Sequence, residues 1–204
     1  MKKALLFCLL FVFPAFLGFA GSFYSNIVVL TENTNNLLSI VSQLGIVAYC
    51  IIKNKWGIIF EQKIDEQDIS YGKYLTKNIS QKTNGIVIYT TNHDSDILIV
   101  YMYKNGEEIF SYNSDPGYFV NKEIEPEIIG IENLLNEFKE IDKKSIIDLL
   151  NVKEIFSESI HSKLINLINL PLYSMWGYSV IENTNEETIH EIEQENDFKI
   201  IRIN

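Results

Sequence analysis

The chain has 204 residues and a formal net charge of −10, from 27 acidic and 17 basic side chains. Such a surface repels phosphate backbones, and no cluster of Lys and Arg interrupts it, so the composition argues against nucleic acid as a partner. A basic protein or cations would suit it better, although net charge also simply keeps a protein soluble.

Lys2 and Lys3 precede a run without charge over residues 4–20, and Gly18 and Ala20 put small residues three and one before a possible cut. This is the succession of a secretory signal peptide. The run is at the lower limit for spanning a bilayer, so an uncleaved membrane anchor is the rival reading. The expectation is an exported protein, periplasmic or secreted, with residues 1–20 as signal peptide or N-terminal anchor. Cleavage removes Cys8 and leaves Cys50 as the one cysteine. No internal disulfide and no paired-cysteine zinc site is then possible. Cys50 lies in the apolar run 46–52 and reads as a small buried hydrophobe.

Residues 25–30 (SNIVVL) read as a strand, and Leu37, Leu38, Val41 and Leu44 recur at helical spacing before Gly45. Residues 46–52 and 56–60 read as a hairpin about residues 53–55. Asp65 is the expected cap of a second helix whose inner stripe is Tyr71, Leu75 and Ile79. Residues 86–90 form a strand, 91–96 a turn and 97–104 a long strand. Asn105-Gly106 is a tight primed turn, and 107–113 return as a strand. The order βαββαβββ over residues 21–125 predicts an α+β fold, a ferredoxin-like antiparallel sheet with helices on one face.

Beyond Pro126 the spacing is helical. Ile131, Leu134, Leu135, Phe138 and Ile141 make one stripe, Ile146, Ile147, Leu149 and Leu150 a second, and Ile160, Leu164, Leu167 and Ile168 a third that ends before Pro171. Residues 176–181 read as a returning strand. Residues 126–181 are thus expected as a helical subdomain packed on the sheet, and 182–204 as an acidic tail, mobile or a solvated helix.

The densest chemistry is Asn92-His93-Asp94-Ser95-Asp96. Two hard oxygens and an imidazole could hold a divalent cation, but Asn and Asp also make turns by bonding nearby backbone. The turn is the reading preferred here, and neither a metal nor a cofactor is expected. Asp115-Pro116-Gly117 is a second turn, with proline presetting φ and glycine offering a left-handed position. Tyr118 and Phe119 after it are expected to cover the sheet edge where the helical part begins; if exposed, they would instead anchor a contact. Neither Gly-x-Ser-x-Gly nor a glycine-rich phosphate loop occurs. With 27 acids, spacing alone cannot select a carboxylate pair for acid/base work.

These features resemble a family of uncharacterised bacterial proteins. The likeness lies in residues 23–28, in Asp65-Glu66-Gln67-Asp68, in the Asn92-His93-Asp94 turn, in the glycine-containing hairpin, in Pro116-Gly117-Tyr118-Phe119, and in His161, Leu164 and Pro171. It covers residues 23–181 and implies no activity, and the leader is a departure from the family. The resulting expectation is a binding or accessory protein, immunity-like, with a protein partner. Asn92, His93, Asp94, Asp96, Asp115, Tyr118 and Phe119 are the candidate contacts. The alternative is a metal-dependent hydrolase using His93, Asp94 and Asp96.

Overall fold

The computed structural model describes residues 22–152, 154 and 156–204. The expected leader lies outside them. The first half alternates strands and helices: β1 (Tyr24–Leu30), α1 (Leu37–Ser42), β2 (Ala48–Lys53), β3 (Trp56–Glu61), α2 (Ile69–Thr83), β4 (Ile86–His93), β5 (Ile97–Lys104) and β6 (Glu107–Asn113). The second half is mainly helical: β7 (Glu127–Ile129), α3 (Ile131–Glu137), α4 (Lys143–Leu150), α5 (Ser157–Leu167), α6 (Tyr178–Glu182), α7 (Glu186–Asn196) and β8 (Ile200–Ile203). Among the described residues no helix is long and apolar enough to cross a membrane.

The eight strands form one open sheet, antiparallel throughout, in the order β7-β6-β5-β4-β1-β3-β2-β8. The fold is α+β. Successive side chains of a strand point to opposite faces, and β1 shows it: Ile27 and Val29 join one core, Val28 the other. On the first face Leu37 and Val41 of α1 and Leu75 and Ile79 of α2 pack on Ile27, Val29, Ile59 and Tyr89. On the second, Leu134, Ile146, Leu150, Ile160 and Leu164 from α3, α4 and α5 pack on Val28, Ile58, Ile88, Val100 and Met102. The helices beyond Pro126 thus form a second layer, and the sheet carries helices on both faces rather than one.

Four local expectations are corrected. Asp65 does not cap α2. That role falls to Asp68, whose carboxylate accepts from Tyr71 N at 2.9 Å. Asp65 instead accepts from Ser179 N at 2.8 Å, in the first turn of α6, and this long-range bond accompanies a helix where a strand was expected over 176–181. Residues 127–129 pair with β6 as a short edge strand before the helices begin. The acidic segment does contain an exposed helix, α7. It ends, however, in β8, where Ile203 pairs with Ala48 and Ile201 with Cys50. Phe198 anchors that return by packing its ring 5.0 Å from Tyr173.

Candidate functional site

The β4–β5 hairpin carries the site. Asn92 and His93 belong to β4, so the turn is narrower than residues 91–96: Asp94 and Ser95 bend the chain with φ of 54° and 61°, and Asp96 N donates to His93 O at 3.0 Å. Aspartate tolerates the left-handed region, serine less readily. Ser95 is held there by four bonds. Its N donates to Ser22 O at 3.2 Å, its O accepts from Ser157 N at 2.7 Å, and its Oγ accepts from Ser22 N at 2.7 Å and donates to Glu158 Oε1 at 2.5 Å.

Asn92 belongs to the same scaffold. It is fully buried, its Nδ2 donates to Ser22 O at 2.9 Å, and its Oδ1 accepts from Ser157 Oγ. Both ends of its side chain thus bond the scaffold, and it presents no surface to a ligand. His93, by contrast, is half-buried among aromatic rings. Phe23, Phe119 and Tyr118 meet it edge-on with centroids at 5.0, 5.3 and 5.8 Å. Its Nδ1 bonds Gln67 Oε1. Because Gln67 Nε2 donates to Asn92 O at 2.8 Å, the Oε1 is the accepting end of that amide, and His93 Nδ1 carries the proton.

Three carboxylates border the rings. Tyr118 Oη donates to Asp96 Oδ2 at 3.2 Å. Partial desolvation, then that bond and the charges of Asp94 and Asp115, hold the Tyr118 phenol above its ordinary pKa. Asp115 Oδ1 accepts from Gly117 N at 3.0 Å. Gly117 is not left-handed as expected, having φ of −87°. Glycine is required for another reason: a Cβ there would lie 1.7 Å from Lys122 O. The left-handed residue is Asn121, at φ 51°.

Phe119 is 65% exposed and Phe23 46%, so these rings do not serve to cover the sheet edge. The structure therefore brings together His93, Asp94, Asp96, Asp115, Tyr118 and Phe119, and sets Asn92 apart beneath them. The sequence reading missed Phe23 and Gln67, which reach the site from just before β1 and from the C-cap of the 3-10 turn Ile64–Glu66 that precedes α2. Nothing in the local spacing signalled either of them. Among the described residues no three His, Cys, Asp or Glu side chains come together in a way that could hold a metal ion. His93 Nδ1 bonds Gln67, and Asp96 accepts from Tyr118.

Beneath the surface lies a second histidine. His161 of α5 is 2% exposed, with Nδ1 2.7 Å from Tyr24 Oη, and burial pushes its pKa down to about 3. It stays neutral at ordinary pH and serves the packing of α5 on β1. No protein-family model, curated protein or solved structure matches the chain.

Proposed function

We propose that this is an exported or envelope-associated binding protein that meets a protein partner through the aromatic and acidic end of the β4–β5 hairpin. One observation carries the reading: Phe119 and Phe23 stand in solvent around His93, beside Asp94, Asp96 and Asp115, none of which forms an ion pair among the described residues. Keeping large rings in water has no folding benefit, whereas rigid aromatic side chains are the usual anchors of interfaces. Unpaired acids at the rim favour a basic partner and speed its approach. The family likeness drawn from the sequence includes 92–94 and 116–119 among its stretches. For the fold, the ferredoxin-like reading is supported by the central strand order β4-β1-β3-β2 with α1 and α2 as its connections.

The test is capture by a tagged chain starting at Gly21 from the envelope and secreted fractions of the native host. Wild type is expected to retain one stoichiometric protein that Phe119→Ala and Tyr118→Ala lose, with unfolding temperatures unchanged. Empty fractions, or a protein held equally by all three, would overturn the reading. Mass spectrometry of the native chain checks location: a start near Gly21 fits export, and the full-length mass in membranes fits the anchor instead.

A further inference from the structure

A cavity of about 460 Å³ lies where the residues after α1 meet the end of β3, the 3-10 turn Ile64–Glu66 and α2. Pockets for small molecules commonly measure about 300–1,000 Å³, so a compact organic ligand fits. Ile46, Val47 and Tyr71 supply apolar lining, and the charged residues on it are Glu61, Lys63 and Glu66. Glu61 decides which chemistry the cavity suits. It is only 3% exposed. Its Oε2 accepts from Ile64 N at 2.7 Å, whereas Oε1 meets the Tyr71 hydroxyl at 3.5 Å, the outer limit of a hydrogen bond. Burial raises its pKa, as expected of a carboxylate whose charge is poorly compensated. The nearby cation does not pair with it among the described residues. Lys63 instead places its Nζ over the ring of Tyr71, 4.3 Å from the centroid. Glu66 is exposed, and its charge is screened by solvent.

We infer that this cavity binds a small organic amine in its ammonium form. The ammonium donates to Glu61 Oε1, and the apolar body lies against Ile46 and the ring of Tyr71, in the place that Lys63 takes in the free chain. A carboxylate withdrawn from water attracts a cation more strongly than an exposed one, and the face of an aromatic ring attracts the same charge. A neutral or anionic ligand gains neither. The site is separate from the hairpin surface and does not depend on the binding reading above.

The test titrates the chain starting at Gly21, with labelled isoleucine methyls, with benzylamine, benzyl alcohol and benzoate at neutral pH. Saturable shifts of the Ile46 methyls are expected with benzylamine alone. Glu61→Gln keeps an oxygen for Ile64 N but loses the charge, and weakens binding about tenfold, the loss of one charge-assisted hydrogen bond. Tyr71→Leu removes the aromatic face and weakens it about fivefold; it carries the test should Glu61→Gln not fold. Glu66→Gln costs no more than about twofold, as befits an exposed charge, and Lys63→Gln tightens binding by vacating the ring. A retained cooperative unfolding transition shows which variants fold. No saturable shift, equal shifts with benzyl alcohol or benzoate, or binding indifferent to Glu61→Gln or to Tyr71→Leu would overturn the inference. So would a loss in Glu66→Gln as large as in Glu61→Gln, because surface charge would then explain the affinity. Tighter binding of acetyl-Gly-Lys-Gly-amide than of benzylamine would overturn it too, since the ammonium would then belong to a protein partner.

Discussion

Lowering the pH from 6.5 to 4.0 is expected to cost the fold about 3 kcal/mol through one residue, His161. The imidazole is buried against Tyr24, and its pKa is pushed down to about 3. In the unfolded chain a histidine titrates near pH 6.5. Below that pH the unfolded state takes up a proton that the folded state refuses, so stability falls as the pH falls, and the loss continues to about pH 3. Each pH unit in that window is worth about 1.4 kcal/mol. For a domain of this size about 3 kcal/mol lowers the melting point by roughly 6–12 °C.

Glu61 acts in the opposite sense. Burial raises its pKa, so the folded state takes up that proton first and acid favours folding there. The comparison that isolates His161 is therefore with His161→Asn, whose amide oxygen replaces Nδ1 as a partner for the Tyr24 hydroxyl but cannot titrate. Urea unfolding of both proteins in half-unit steps from pH 7 to 4 gives two stability curves. They are expected to separate by about 3 kcal/mol over the window, with the variant the less sensitive. Parallel curves would refute the account, because they would mean that His161 is protonated in the fold as easily as out of it.

Two further outcomes test the packing of the first face. A Cβ on Gly72 of α2 would lie 2.3 Å from the ring of Tyr89, which is fully buried. Gly72→Ala is expected to cost about 1–3 kcal/mol by calorimetry although alanine is the better helix former by about 1 kcal/mol, and Tyr89→Leu in the same chain should restore most of it; an unchanged melting point would show that α2 does not approach β4 so closely. Cys50 has no exposed surface, and burial pushes its thiol up to about 12. A thiol reagent at pH 8 should label it only in denaturant, and rapid labelling of the folded chain would disprove its place in the core.

The strands were legible where β-branched residues alternate or cluster: β1 through β6 follow from patterns such as Ile27-Val28-Val29 and from Asn105-Gly106, whose φ values of 53° and 82° make the primed turn. Helix stripes such as Leu134, Ile146 and Leu164 were equally visible. Which face they would cover was not, because a stripe declares that it is buried and not against what. The misassigned pieces depend on distant partners. Asp65 looks like a local cap but bonds Ser179, and Phe198 to Ile203 read as part of an acidic tail until Tyr173 and β2 are there to receive them. At the site, the acids and rings could be named from sequence. Their convergence on His93 needed Phe23 and Gln67, which come from separate elements.

The placement of β1 constrains how the chain comes into being. Among the described residues the first strand made is a central one: Tyr24–Leu30 needs β3 on one side and β4 on the other, and the sheet gains its last edge strand only when Ile203 reaches Ala48. Contacts so distant along the chain slow folding, because loop closure must precede any reward. A chain emerging amino end first therefore cannot pair both sides of β1 until residue 93 has appeared. Delayed closure of this kind leaves one edge of β1 open to mispairing while the intervening residues are made.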